Sequence, residues 1–252
     1  YQDLIALFYF RISSLLYMAL MLWGGVLNEV NADEHTQLPL MESRFSVHIA
    51  GIPAGTMIRK LTRDEEGYIA HSEMVPGLWF KLLQPTAVAD EMFDLSRFTL
   101  NNGELRGSFF EEHWKSETGR GRSLTYDWRD RRVRWGDGRE VAMPEGRLVD
   151  NGSYPYSLML SDPLQVVGEK LTILDGEMAR PFEIIEAQKR DIKTALGHYE
   201  AWQIDARRLD HPNERFSVSL APELSNLPVL ISHNKNNIST ELRILSITLK
   251  SE

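Results

Sequence analysis

The sequence predicts a mainly β protein: a single antiparallel, strongly twisted sheet or a partly closed β-barrel with one or two short helices. Two observations support this fold class. Apolar residues alternate with polar ones in stretches such as 44–49 and 123–128, which is the period of a half-buried strand. Glycine- and asparagine-bearing turns separate many short segments, which indicates hairpins rather than βαβ crossovers. A strongly curled sheet would also hide its edge strands.

The stretch 44–63 is predicted to be the opening hairpin. Phe45, Val47 and Ile49 alternate with polar residues, and Gly51 and Gly55 then bracket Ile-Pro-Ala. Because glycine adopts positive φ at little cost, this five-residue link suits a hairpin with a longer loop or a bulge.

The same alternation predicts further strands along the chain, separated by turns such as Asn101-Asn102-Gly103 and Asp175-Gly176. They cover residues 68–73, 90–98, 105–114, 123–128, 132–135, 139–143, 170–173, 180–185, 198–207, 216–220, 229–231 and 242–249. A short helix is predicted around 154–160, where Pro155 and Pro163 limit its length. Residues 75–89 fit a second short helix or an irregular connection.

Residues 1–32 are predicted to be a cleaved signal peptide, and residues 33–252 a single antiparallel β domain. Arg11 precedes a nine-residue apolar run at 15–23, and Val30-Asn31-Ala32 provides a cleavage site before Asp33. A membrane span needs about 20 apolar residues, and Arg11 and Gly24-Gly25 interrupt the run on its two sides. We therefore expect a periplasmic or secreted protein with no stable membrane span after cleavage.

Composition excludes several classes of chemistry. The 252 residues contain no cysteine, which rules out disulfides, thiol nucleophiles and Cys-ligated zinc or iron–sulfur clusters. It also rules out a lipid-modified N-terminal cysteine, so the exported form is expected to be soluble and not lipid-anchored. The net charge of −8 argues against nucleic acid as a partner.

No motif for catalysis, cofactor binding or metal binding is present, so we predict no residues for these roles. The chain lacks a Gly-x-Ser-x-Gly elbow, a phosphate loop, a dinucleotide fingerprint and a His-Glu-x-x-His motif. Its seven histidines are all more than four residues apart, so no local metal pair is visible. Carboxylates are abundant, and strands could bring two of them together for hydrolysis, which leaves an enzyme open as an alternative.

Aromatic residues are the candidates for a ligand pocket. They either fill the core, which is the commoner role of aromatics, or line an apolar concavity of the sheet. The predicted lining residues are Trp79, Phe80, Trp114, Tyr126, Trp128 and Trp202. The interleaved arginines of 129–139 could hold a nucleic acid by stacking and charge, but nearby acids and the alternation of strand faces favour a solvated outer surface.

Three segments resemble a bacterial envelope family, the domain-of-unknown-function family 3108. They are 45–61 with its GIPAG link, 123–134 with the sequence SLTYDWRDRRVR, and 194–231, which includes TALGHYEAWQID. Phe216 departs from the tryptophan expected at the head of the late strand. The resemblance implies an exported, mostly β, periplasmic protein without an assigned activity, and it implies no catalytic residues.

These observations together predict an exported, non-enzymatic protein that binds a lipid, a lipoprotein or an envelope partner in an apolar concavity. The alternative is an envelope hydrolase whose carboxylates are assembled across strands. The sequence leaves the ligand and the oligomeric state open.

Overall fold

A computed structural model describes residues 37–78, 92–114 and 122–250. The predicted signal peptide lies outside these ranges, as does most of the segment 75–89. The first eight strands are β1 (Met41–Ile49), β2 (Ile52–Asp64), β3 (Gly67–Pro76), β4 (Met92–Asn101), β5 (Glu104–Trp114), β6 (Arg122–Asp127), β7 (Arg132–Trp135) and β8 (Glu140–Ala142). The remaining seven are β9 (Arg147–Asp150), β10 (Lys170–Leu174), β11 (Ala179–Thr194), β12 (Gly197–Arg208), β13 (Arg215–Ala221), β14 (Leu227–Lys235) and β15 (Ile238–Leu249).

All fifteen strands belong to one sheet, which confirms the predicted fold class. Their order is β8-β7-β6-β5-β4-β3-β2-β1-β15-β14-β13-β12-β11-β10-β9, so two meanders meet where β1 pairs with β15. Every pairing is antiparallel except that of β9 with β10, which the sequence did not predict. The sheet is open, with β8 and β9 at its ends.

Side chains join the two ends of the curled sheet. Asp150 of β9 accepts hydrogen bonds from Ser96 Oγ of β4 (3.1 Å) and from Tyr126 Oη of β6 (2.9 Å). Trp135 Nε1 of β7 donates to the carbonyl of Asp175, after β10, at 3.1 Å. The twist of a large sheet brings its ends towards each other, and these contacts hold them there without a backbone ladder. The result is barrel-like but not closed.

The opening hairpin has a tighter turn than the five-residue link predicted for it. Ile49 pairs directly with Ile52, and the turn consists of Ala50 and Gly51, both with positive φ (51° and 78°). Two positive φ angles match the strand twist in a two-residue turn. The register shifts just beyond, between Val47 and His48, so the predicted bulge is present inside the strands. Gly55 lies at this register shift, opposite Val47. A Cβ at this position would come within 2.2 Å of the Val75 carbonyl oxygen, so a residue with a side chain would clash.

One α-helix lies wholly within the described residues, α1 (Tyr154–Met159), as predicted around 154–160. Its residues Tyr156, Leu158 and Met159 are buried in the main core with Phe98 and Phe216. A single turn of 3-10 helix follows β13 at Pro222–Leu224. The short helix therefore fills the interior of the curled sheet, and no helix of the described residues is long and apolar enough to span a membrane.

Candidate functional site

A row of polar side chains crosses the inner face of the first six strands. Each member pairs in register with the next, and directly opposed residues of antiparallel strands project from the same face. The polar row consists of Ser43, Arg59, Ser72, Asp94, Glu112 and Arg122. Its first five members are buried.

Apolar rows flank the polar row on both sides. Two residues away along each strand lie Met41, Leu61, Ala70, Phe110 and Leu124 on one side, broken by Ser96. On the other side lie Phe45, Met57, Met74 and Met92. A polar row between apolar rows contradicts the usual apolar inner face of a curled sheet, and this marks the position as a candidate site.

Five members of the polar row, all except Ser43, line a cavity of about 340 Å³, at the lower end of the roughly 300–1,000 Å³ of small-molecule sites. The other half of the sheet contributes an apolar surface and a second group of charges. Its apolar lining residues are Ile173, Phe182, Phe216, Ile231 and Leu242, and its charged or titratable lining residues are Asp175, Glu177, Arg180, Glu214 and His233. The cavity is thus apolar over much of its wall and charged along two sides.

Glu214 is the centre of the second group of charges. It is buried, and it accepts hydrogen bonds from Arg208 Nη1 at 2.7 Å and pairs with His233 Nε2 at 3.1 Å. Burial acts to raise the pKa of Glu214, but the hydrogen bond and charge of Arg208 outweigh it and the pKa is lowered. Burial also lowers the pKa of His233, against the attraction of Glu214. Glu214 therefore stays ionised and compensates the cations around it.

Two other acids of the cavity are also paired. Asp175 forms a salt bridge with Arg180 and accepts hydrogen bonds from the backbone N–H groups of Glu177 and Met178. Glu112 lies 3.6 Å from Arg122, and that arginine reaches Glu177 at 3.0 Å. Burial and the nearby Asp175 charge raise the pKa of Glu112. The two halves of the sheet thus meet through charges at this edge of the cavity.

Arg59 and Asp94 differ from the other charged residues of the cavity, because neither has an ion-pair partner within 4.0 Å among the described residues. Arg59 donates from Nη2 to the Gly152 carbonyl oxygen (2.7 Å) and lies over the Tyr156 ring, but its Nε is buried with no hydrogen bond to any described residue. Asp94 Oδ1 is likewise without one. Burial raises the pKa of Asp94, and the more distant Arg59 charge only opposes this.

The structure places the aromatic residues predicted to line a pocket in several environments. Trp79 and Phe80 lie outside the described residues, and of Trp114 only the backbone, at the end of β5, is described. Tyr126 is buried against Asp150. Trp128 stacks on Tyr126 and lines a second, more polar cleft of about 860 Å³, and Trp202 is half-buried with Lys189 over its ring. Their role in ligand binding stays a prediction.

The arginines of 129–139 divide between the second cleft and the outer surface. Arg129 and Arg131 line the cleft with Trp128. Arg132 and Arg134 both pair with Glu140, and Arg139 pairs with Asp137. This partial neutralisation agrees with the solvated surface that the alternation predicted. No group of three potential metal ligands was found in the described part of the chain.

Sequence reasoning missed the polar row, although a signal for it was present. In β4 the inward positions are Asp94, Ser96 and Phe98, so two polar residues occupy places where the alternation calls for apolar ones. The sequence of one strand does not show whether the neighbouring strands carry polar residues directly opposite its own. Which residues are opposed depends on the register of five strand pairings.

Comparison with known proteins supports the fold class. No family model matches the chain, and no curated protein matches it. A solved structure is similar: the crystal structure of a beta-barrel-like protein of the domain of unknown function DUF1849 from Brucella abortus. The match covers 86% of this chain and 100% of that one, with a TM-score of 0.58 and 9% sequence identity. At this identity the likeness is one of fold: the chain has a β-barrel-like fold.

Proposed function

We propose that the chain is an exported, periplasmic binding protein, without enzymatic activity, that holds a small amphipathic molecule in the 340 Å³ cavity. The observation that carries this proposal is the wall of the cavity, where Phe182, Phe216 and Ile231 face a row of buried polar groups. Burying apolar ligand surface contributes about 25 cal/mol per Å². The cavity suits one small molecule or one lipid chain, including a chain of a lipoprotein or other envelope partner, rather than a complete two-chain lipid.

Replacing Leu242 by tryptophan should weaken ligand binding at least about tenfold, which is about 1.4 kcal/mol. Leu242 is half-buried and lines the cavity, so an indole there occupies space that the ligand needs. The measurement is a fluorescence titration with N-phenylnaphthylamine, an apolar dye that brightens away from water.

Leu245→Trp is the matched control, because Leu245 lies on the same strand but is exposed. It should bind the dye as the unmodified protein does. The proposal fails if the unmodified protein does not bind the dye, or if Leu242→Trp binds it equally well.

Export predicts that the mature protein begins at Asp33. Expression of the full chain in a Gram-negative host, followed by intact-mass measurement of the periplasmic extract, should give the mass of residues 33–252. An Ala32→Arg variant, which places a large charged residue at the cleavage position, should accumulate uncleaved. Recovery of the chain in the cytoplasm with residues 1–32 still attached would contradict the proposal of export.

The resemblance to the domain-of-unknown-function family 3108 supports the periplasmic location, and the family identity itself stays a prediction. A test independent of that resemblance is native mass spectrometry of protein purified from the envelope of its own organism. A consistently retained small molecule would support the binding function, whereas consistently ligand-free protein would count against it.

The alternative function is an envelope hydrolase, and one observation favours it. Asp94 and Glu112 are directly opposed on β4 and β5, and both are buried with raised pKa values. Paired carboxyl groups of this kind can act as general acid and base. A bound molecule recovered intact after long incubation favours binding, whereas cleavage that is lost in Asp94→Asn and in Glu112→Gln favours hydrolysis.

A further inference from the structure

Three adjacent strands place three buried side chains with unused hydrogen-bonding atoms next to one another. Arg59 of β2, Ser72 of β3 and Asp94 of β4 pair in register and are 6%, 2% and 7% exposed. Arg59 Nε, Ser72 Oγ and Asp94 Oδ1 have no hydrogen-bond partner among the described residues. All three residues line the cavity. The Ser72 hydroxyl is near enough to Asp94 to act to lower its pKa, against the burial that raises it, although the two groups lie outside standard hydrogen-bond geometry.

The three side chains differ in length, and the shortest of them is in the middle. Neighbouring strands lie about 4.8 Å apart, so the backbones of β2 and β4 are separated by about 10 Å. The short Ser72 lies between the long Arg59 and the carboxyl group of Asp94. The register therefore puts Ser72 between a cation on one strand and a carboxyl group on the other, and we call this position the slot.

Unused buried atoms of this kind call for an explanation, because the large majority of buried side-chain polar atoms in proteins are hydrogen-bonded. Four of the five unpartnered buried side-chain atoms found in the described residues line this one cavity; the fourth is Arg180 Nε. Random packing defects would be scattered through the fold. Their concentration in the cavity points to a ligand that completes the hydrogen bonds.

The other charges around the cavity have partners of their own. Glu214 pairs with Arg208 and His233, and Asp175 pairs with Arg180. Arg122 pairs with Glu112 and Glu177. His71 directly precedes Ser72 on β3, and its charge also acts to lower the pKa of Asp94. In the described part of the cavity wall, one cation and one carboxyl group, Arg59 and Asp94, thus have no ion-pair partner within 4.0 Å and are left for the ligand.

We propose that the slot between Arg59 and Asp94 binds a zwitterionic head group. An anionic oxygen of the head accepts a hydrogen bond from Arg59 Nε, a primary ammonium donates to Asp94 Oδ1, and Ser72 Oγ bonds to the atoms between them. This inference rests on the proposed binding function and names the ligand class: a single-chain amphiphile with an anionic group and a primary ammonium a few atoms apart.

The test is a series of probes that share a decyl chain and differ only in the head group. Isothermal titration calorimetry on the unmodified protein, below the micelle concentration of each probe, compares decyl phosphoethanolamine, decyl phosphocholine, decyl phosphate and decanol. Decyl phosphoethanolamine should bind at least about tenfold more tightly than decanol, since charge-assisted hydrogen bonds exceed neutral ones. It should also bind more tightly than decyl phosphocholine, whose trimethylammonium group has no N–H to donate.

The Asp94→Asn variant tests whether the ammonium group of the probe binds to Asp94. It should remove the advantage of decyl phosphoethanolamine over decyl phosphate. Asp205→Asn is the matched control, because Asp205 bonds to Gln203 and is not among the residues that line the cavity. It should leave the whole series unchanged.

The outcomes separate this inference from the proposed function. Equal affinity for all four probes would overturn the zwitterionic site while leaving the binding function in place. Binding of none of them, decanol included, would overturn both. Because the head-group series uses the unmodified protein, it decides the proposal even if Asp94→Asn does not fold.

Discussion

Replacing Asp150 by alanine should lower the free energy of unfolding by about 3–5 kcal/mol at pH 5. Asp150 is fully buried and accepts hydrogen bonds from Ser96 Oγ, Tyr126 Oη and the Ser153 N–H. Its removal leaves two buried hydroxyl donors, Ser96 and Tyr126, without this acceptor, each costing about 1–3 kcal/mol, and it releases the contacts between the ends of the sheet. The Ser153 N–H keeps the backbone carbonyl of residue 150 as an acceptor. Denaturant unfolding monitored by tryptophan fluorescence measures the change.

Asp191→Ala is the control for this prediction, because Asp191 is an exposed residue of β11 and should change stability by less than about 0.5 kcal/mol. If Asp150→Ala lowered the free energy of unfolding as little as Asp191→Ala does, the ends of the sheet would not be held together through Asp150.

Asp150 also predicts how stability depends on pH. Burial raises its pKa from 3.8 to about 6, against the hydrogen bonds that favour the ionised form. Between these two values the folded protein binds the proton more strongly than the unfolded chain does, so stability falls as the pH rises. The contribution is complete below about pH 3.8 and is lost as the pH passes 6, with a span of about 3 kcal/mol.

The isosteric Asp150→Asn variant should lack this contribution. Its free energy of unfolding should therefore change less steeply between pH 4 and pH 7 than that of the unmodified protein, by up to about 3 kcal/mol. The difference between the two proteins isolates Asp150 from other titrating acids such as Asp94. Identical pH profiles would contradict the raised pKa.

Replacing Glu214 by alanine should cost about 2–3 kcal/mol of stability, less than the about 3–5 kcal/mol expected where a buried charge is left with no partner at all. Arg208 is 4% exposed and lies 2.7 Å from Glu214, and Arg180 lies 3.8 Å from it. Without Glu214, Arg208 retains the half-exposed Asp210 and Arg180 retains Asp175. Thermal and denaturant unfolding at pH 7 measure the loss.

The comparison for Glu214 is Glu200→Ala. Glu200 pairs with Lys189, but both side chains are more than half exposed, and exposed pairs contribute about 0–1 kcal/mol. The prediction requires a clear difference between the two variants. Equal losses would mean that the charges beside the cavity are not held by Glu214.

Much of the fold could be predicted from the sequence because strand signals are local. Phe45 and Val47 alternate with polar residues, and Asn102-Gly103 forms the predicted tight turn with two positive φ angles. The opening turn was placed too broadly, because Ala50 adopts positive φ, which a non-glycine residue rarely does. The parallel pairing of β9 with β10 was missed because it joins residues separated by a helix.

Little of the candidate site could be predicted, because its residues are scattered from Arg59 to Leu242. The pocket was predicted from aromatic residues, because large aromatic side chains are easily recognised in a sequence as candidates for an apolar lining. Asp94 and Ser72 do not stand out, and only their register places them beside Arg59.

The sequence by itself determined the class of fold, the positions of most strands and the absence of cysteine chemistry, because each depends on residues close together in the chain or on composition. The tertiary structure decided which inward residues share one level, which ends of the sheet meet and which charges lack a partner. Those properties depend on strand register and on the curl of a fifteen-stranded sheet. Both are set by packing between distant segments, and the polar row exists only once they are in place.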